Sequence, residues 1–238
     1  LRVERYGLDY GPDGRWTSFS VAKSFTSTLV GAALKDGHIK SMDDKVSDYL
    51  PDMKGSAYDD VSVRQLLTMT SGVQWNEDYG DPNSDVARFN NHVPEPGVDA
   101  LVSYMRKLPR AAPAGERWHY STGETNLVGV MLMAAIHKPL TDYLQEKIWQ
   151  PAGGMQQQAT WLLSKTGKEI SGCCIQAAAR DYARMGQFGL EGARVNGEPI
   201  VPDGWLQAAT RKQADIQAPG RGYGYQWWTY DDGTFAAR

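Results

Sequence analysis

The sequence predicts an α/β fold whose sheet is built from both ends of the chain, with a mainly helical lobe over residues 40–170 inserted between them. Three observations carry this reading. Apolar residues recur at helical spacing through the middle of the chain, strand-like patterns lie near its two ends, and no Gly/Ser/Pro tract or run of like charge marks a linker. With 238 residues, 41% hydrophobic and 22% charged, the chain can bury a sizeable core as one domain spanning 1–238.

The elements follow in order. Apolar and polar residues alternate through Leu1, Val3 and Tyr6 up to the turn-forming Gly11-Pro12-Asp13-Gly14, which reads as the end of a strand. From Ser20 the spacing of Val21, Phe25, Thr28, Leu29, Ala32 and Ala33 is helical, and Gly37 supplies the C-terminal stop. Ser62-Val63-Arg64-Gln65 is a capping box that opens a short helix through Leu66, Leu67 and Met69, ended by Ser71-Gly72. Residues 73–97, rich in Asn, Asp, Gly and Pro, read as an extended functional loop. Helical periodicity returns over 98–108, 125–136, 141–149, 177–188 and 202–209, and residues 222–229 form an aromatic, strand-like run.

Composition excludes several classes. A net charge of −3 with interspersed signs offers no basic face, so nucleic acid is not expected as a partner. The longest apolar run, 127–136, is half the roughly 20 residues a membrane-spanning helix needs, so no span is expected. His38, His92, His119 and His137 lack metal-ligand spacing, and neither a metal nor a cofactor is inferred. The two cysteines, Cys173 and Cys174, are adjacent; a bridge between neighbours is strained, so they are expected to be small buried residues outside any disulfide framework. That leaves both cytosol and periplasm open. A start at Leu1 without methionine suggests a trimmed N-terminus.

The chemistry centres on Ser20 and Lys23. Residues three apart share a helix face, so hydroxyl and amine can touch. A serine hydroxyl is a poor nucleophile at neutral pH, but a lysine whose pKa is depressed by burial can take its proton. At a helix start, free backbone N–H groups and the positive end of the dipole favour an oxyanion formed nearby. Ser-x-x-Lys by itself is common; what singles this pair out is the apolar and small company of Lys23, between Val21-Ala22 and Ser24-Phe25-Thr26.

Ser18-Phe19-Ser20-Val21-Ala22-Lys23-Ser24-Phe25 is followed by Val63-Arg64-Gln65-Leu66-Leu67-Thr68-Met69-Thr70-Ser71-Gly72, then by Pro113-Ala114-Gly115-Glu116-Arg117-Trp118-His119-Tyr120-Ser121-Thr122-Gly123. Ala179-Arg180-Asp181-Tyr182-Ala183-Arg184-Met185-Gly186 and Gly222-Tyr223-Gly224-Tyr225-Gln226-Trp227-Trp228 complete the series. In this order the segments resemble the β-lactamase-related serine hydrolases: class C β-lactamases, penicillin-binding esterases and 6-aminohexanoate-dimer hydrolases. The resemblance implies a β-lactamase/transpeptidase-like fold, an antiparallel sheet flanked by helices, with the second segment as a structural helix end supporting the active-site wall. It implies Ser20 as nucleophile, Lys23 as its activating partner and Tyr120 as a catalytic tyrosine that exchanges protons with Ser20 and the leaving group. Read alone, Tyr120 is a packing tyrosine that keeps its proton to pH ~10. The family's Tyr-x-Asn is here Tyr120-Ser121-Thr122, so the amide is missing at that position, with Glu124 and Asn126 as candidates to replace it.

Lys165-Thr166-Gly167 imitates the Lys-Thr-Gly motif of these enzymes but precedes the 177–188 helix, whereas the family's motif lies on a strand after the Trp-Trp segment; it is rejected. On that resemblance the chain is truncated at both ends, and the pocket strand with the second oxyanion donor is expected beyond Arg238. Trp75-Asn76-Glu77-Asp78-Tyr79 is most similar to the 6-aminohexanoate-dimer hydrolases, which makes Tyr79 the substrate-contact candidate, with Asp81 and Asp85 able to attract an amino terminus. The expectation is an acyl-Ser20 hydrolase of small esters or linear amides. A class C β-lactamase or D-alanyl-peptidase, and a non-catalytic domain that captures a peptide or β-lactam, are the alternatives.

Overall fold

A computed structural model describes residues 3–151, 155 and 157–238. Leu1, part of the expected opening strand, lies outside them. The chain enters through β1 (Arg15–Thr17), and a 3-10 turn, Phe19–Val21, runs directly into α1 (Ala22–Lys35). The lobe follows as α2 (Val46–Tyr49), α3 (Val63–Leu67), α4 (Asp85–Arg88), α5 (Ala100–Met105), α6 (Thr122–Ile136) and α7 (Leu140–Leu144), the last continued by a π-helical turn, Gln145–Trp149. Next come β2 (Thr160–Trp161), β3 (Ile175–Ala178), α8 (Ala179–Leu190), β4 (Arg194–Val195), β5 (Glu198–Pro199), α9 (Trp205–Ala209), β6 (Arg221–Tyr223), β7 (Trp228–Tyr230) and β8 (Phe235–Ala236).

The first sheet has the order β1-β3-β2 and is antiparallel, with Arg15 opposite Ala178 and Thr160 opposite Gln176. It joins the chain before the helical middle to the chain after it, but the C-terminal strands expected in the same sheet form a separate one, and β2 falls inside the 40–170 range. β4 and β5 form a hairpin, and β6-β7-β8 is a separate antiparallel meander.

Helix α1 is the axis of the core. Every residue from Ala22 to Ala33 is buried, polar ones included, because the helix is covered on all sides. Its polar side chains find partners inside: Thr26 Oγ1 donates to Ser171 O at 2.8 Å, and Ser24 Oγ to Gln226 O at 2.8 Å. Gln226 in turn accepts from Thr125 on α6 and donates to Leu67 O, so one buried amide ties three parts of the core together. Helix α6, buried from Thr122 to Leu132, packs beside α1. The capping box at Ser62 is present with both reciprocal bonds.

Several expectations are corrected. Residues 3–10 are not a strand: Leu8 and Asp9 have φ of +54° and +61°, and Val3 and Leu8 are exposed, so the alternation there meets no facing surface. The strand comes after the turn instead, where Ser18 N donates to Ile175 O. The run 222–229 is two strands, because Gln226 has φ +64° and Gly224 N closes a turn onto Trp227 O. The loop 73–97 contains the short helix α4, capped by Ser84 through Ala87 N. Residues 177 and 178, expected to open a helix, end β3, whose pairing with β1 outweighs alanine's helical preference. Cys173 and Cys174 are half-buried and bridged to each other. A ring between neighbours closes no loop of chain, and it sits in the turn from β2 to β3, where Cys174 has φ +75°.

No helix among the described residues is long and apolar enough to cross a membrane.

Gly72 ends the wall segment with φ +73°, and a Cβ there would lie 2.0 Å from Ala112 O. Gly55 has a similar φ of +76° but open space around it. Gly55→Ala is therefore expected to cost about 1 kcal/mol, the left-handed penalty alone, and Gly72→Ala at least about 2 kcal/mol more, read from urea denaturation midpoints.

Candidate active site

Ser20 lies on the 3-10 turn before α1, half-buried. The residue before it, Phe19, has φ +46° and a ring 70% exposed, so its backbone is held in a conformation its side chain does not favour. Ser18 holds it there: its Oγ donates to Phe19 O and accepts from Cys174 N and Ile175 N at 3.1 and 3.0 Å. The turn that presents Ser20 is thus pinned to the sheet.

One helical turn on, Lys23 is 1% exposed. Its ammonium has three N–H groups and three acceptors, Ser20 Oγ at 3.0 Å, Thr122 Oγ1 at 3.2 Å and Gly172 O at 2.8 Å. Burial pushes its pKa down to about 8, against an opposing pull from the Glu77 carboxylate. The acceptors come from the 3-10 turn before α1, the first residue of α6 and the turn between β2 and β3. Gly172 is held in turn by Asn126, whose Oδ1 accepts from Gly172 N at 2.9 Å.

Tyr120 faces this pair, with Lys23 Nζ 5.1 Å from its ring centroid. Burial raises its phenol to about 12, partly offset by hydrogen bonding to Ser20. The ring is stacked on Trp228, centroids 5.9 Å apart and planes at 25°, and meets Tyr223 edge-on at 6.5 Å. Its backbone hangs on the wall segment: Gly115 N donates to Thr70 O and His119 N to Met69 O. The supporting role expected for residues 63–72 is what these bonds perform.

Tyr79 is 73% exposed, at the rim. Its hydroxyl donates to Glu77 Oε1 at 3.0 Å and lies 3.5 Å from Thr122 Oγ1. The structure thus gathers Ser20, Lys23, Tyr120 and Tyr79 around one point, from α1, the 3-10 turn before it and two loops.

Sequence reasoning missed Thr122, Glu77 and Gly172. Thr122, standing where the family's amide is absent, itself touches Lys23. Glu124 does not replace that amide: it is buried against Tyr58 and Ser71, with its carboxyl raised to about 8 by burial. Asn126 acts one step removed, through Gly172. Glu77 had a signal, its place two residues from both Trp75 and Tyr79, which it hydrogen-bonds. Gly172 contributes a backbone carbonyl and leaves no side-chain trace. Asp85 accepts from Asn76 N in its own loop and from Tyr104 OH on α5, and Asp81 accepts from Asn83 N. The rejected Lys165-Thr166-Gly167 is a hairpin turn beside the Leu163–Glu169 bridge, with Lys165 on Asn91 and Thr166 on Ser164. No group of three or more metal-ligating side chains occurs among the described residues.

An antiparallel sheet, a helical lobe and, at the start of the helix packed between them, a serine with a buried lysine one turn on define a protein of the β-lactamase/transpeptidase-like fold. The chain belongs to the beta-lactamase family, whose model matches residues 2–235. It is 28% identical over 240 residues to the 6-aminohexanoate-dimer hydrolase of Paenarthrobacter ureafaciens, covering 95% of this chain and 60% of that protein. A beta-lactamase of Pseudomonas fluorescens is 35% identical over 134 residues, 56% of this chain and 34% of its own length. Among solved structures, a Bacillus anthracis protein provisionally named a 6-aminohexanoate-dimer hydrolase superposes with a TM-score of 0.82 at 22% identity, covering 98% of this chain and 64% of that one. A D-stereospecific amidohydrolase from Streptomyces superposes at 0.69 with 20% identity, covering 96% of this chain and 75% of the other. The chain thus spans 60 to 64% of the first two 6-aminohexanoate-dimer hydrolase relatives.

An amine with a pKa near 8, hydrogen-bonded to a serine hydroxyl, can accept that hydroxyl's proton once it has lost its own. Below pH 8 Nζ is an ammonium and only donates. The rate of Ser20 labelling by a fluorophosphonate is therefore expected to rise about tenfold per pH unit below 8 and to flatten above it, measured by mass spectrometry of the Ser20 peptide.

Proposed function

We propose that this chain carries the catalytic core of a serine hydrolase that cleaves small esters or linear amides through an acyl-Ser20 intermediate. The observation that carries the reading is the buried Lys23 amine, 1% exposed and 3.0 Å from Ser20 Oγ, beneath the Tyr120 ring. Among the described residues Lys23 forms no salt bridge, and its immediate polar partners are the hydroxyls and carbonyl that orient it toward the serine.

In this mechanism neutral Lys23 takes the Ser20 proton as Oγ attacks the carbonyl carbon. The phenol of Tyr120, protonated at neutral pH because its pKa lies near 12, gives its proton to the departing alcohol or amine and is restored from Lys23. Water then releases the acyl group by the reverse proton path. Tyr79, on the rim with its hydroxyl turned inward, is the residue that contacts the substrate. The small-molecule substrate class follows the 6-aminohexanoate-dimer hydrolase and amidohydrolase relatives. Thr122 in place of an amide argues against proficient β-lactam turnover, because a threonine cannot offer the acyl group an amide donor.

Hydrolysis of p-nitrophenyl butyrate and of a linear 6-aminohexanoate dimer is the test. Ser20→Ala is expected to lower either activity by at least about 10³-fold while leaving the unfolding transition in place. Retained activity, or none in a folded parent, would overturn the proposal. Faster turnover of a chromogenic cephalosporin than of either substrate would move the chain to the β-lactamase alternative.

A further inference from the structure

The Glu77 carboxylate gathers donors from its own loop and from the first residue of α6 beside Lys23. Oε1 accepts from Thr122 Oγ1 and from Tyr79 OH at 3.0 Å, while Oε2 accepts from Thr122 N at 2.9 Å and from the Trp75 indole N–H. Those four donors use its acceptor capacity and fix it against the first residue of α6. Thr122 Oγ1 has one proton, and it goes to Glu77; its lone pair is thereby turned to Lys23 Nζ, 3.2 Å away. The hydrogen bonds run without a break from Glu77 to Ser20: Lys23 donates both to Ser20 and to Thr122, and Thr122 donates on to Glu77.

We propose that Glu77 is the positioning residue of the Ser20–Lys23 pair: through the Thr122 hydroxyl its carboxylate aims Lys23 Nζ at Ser20 and holds the proton that Lys23 carries. The inference rests on the acyl-Ser20 reading for its meaning in catalysis, but its physical content is a property of Lys23 alone.

The groups around Lys23 leave this part to Glu77. From the turn before α1 comes the Ser20 hydroxyl, from α6 the Thr122 hydroxyl, and from the β2–β3 turn the Gly172 carbonyl, all uncharged. The phenols of Tyr120 and, behind it, Tyr223 are raised by burial and neutral, as is Tyr79 on the loop. Glu124 on α6 turns away to Ser71 and Tyr58, and His119 binds Trp75 O. The negative charge acting on Lys23 is that of Glu77. Losing it removes stabilisation from the ammonium, so the amine deprotonates at lower pH.

The experiment is a ¹³Cε NMR titration of ¹³C-lysine-labelled protein, with the Lys23 resonance assigned by Lys23→Ala. Glu77→Gln, which keeps the size and one acceptor oxygen, is expected to lower the Lys23 midpoint by about 0.5 to 1 pH unit. Glu77→Asp keeps the charge and is expected to stay closer to the parent. Asp78→Asn, an exposed neighbour bonded to Gly80 N, is expected to leave the midpoint unchanged. Should Glu77→Gln fold poorly, Thr122→Val cuts the same line and is expected to lower the midpoint as well. An unmoved Lys23 midpoint in folded Glu77→Gln, or an equal shift in Asp78→Asn, would overturn the inference. Fluorophosphonate labelling of Ser20 in the parent judges the acyl-enzyme reading separately, because the titration needs no turnover.

Discussion

The constraint on which the rest of the structure depends is the burial of one ammonium group. Lys23 sits in a helix whose every neighbour is buried, and a buried charge without partners is among the most costly defects a protein can contain. Its three N–H groups are met by three oxygens from three parts of the chain. Meeting that demand brings the start of α6, the β2–β3 turn and the Ser20 turn to one place. Further bonds hold each there: Asn126 on Gly172, Ser171 Oγ on Thr125 O, and Ser18 on the start of β3. The sheet, the lobe and the site are coupled through a single amine.

Around that centre the polar and aromatic parts divide the work. Hydroxyls and a carbonyl satisfy Lys23 without adding charge, so burial can depress its pKa to the range where an amine is a base near neutral pH. Aromatic rings hold Tyr120 in place, where Trp228 stacks on it and Tyr223 and Trp118 meet it at tilted or edge-on angles. The same burial that lowers the amine raises the phenol, to about 12. Burial thus shifts the two groups in opposite directions, the amine down and the phenol up.

Much of this was legible along the chain. The capping box at Ser62 and the stop at Gly37 are local patterns, and the structure places them as read, whereas Ser20 lies on the 3-10 turn ahead of α1 and the helix opened at Ser62 ends at Leu67 instead of running through Met69, which has φ +55°. Errors arose where a local pattern needed a partner to decide it. Alternation over residues 3–10 suggests a strand, but no facing surface exists there. Residues 177–178 favour a helix locally, but β1 claims them. The aromatic run 222–229 looks continuous until Gln226 turns inward to bind Thr125 and the Leu67 carbonyl, which bends the backbone into a hairpin.

By itself the sequence determined that Ser20 and Lys23 meet, because residues three apart along a helical turn lie on one face whatever the rest of the chain does. It also determined the helix ends and the order of the segments that carry the family. Tertiary structure alone decided what surrounds Lys23. Its contacts to Thr122 and Gly172 span 99 and 149 residues, and one of them is a backbone carbonyl that any residue could offer. Glu77 reaches Lys23 only because a loop folds back over α6 and a threonine stands where the bond must pass. Distances of that kind are set by packing and burial, which no spacing along the chain records.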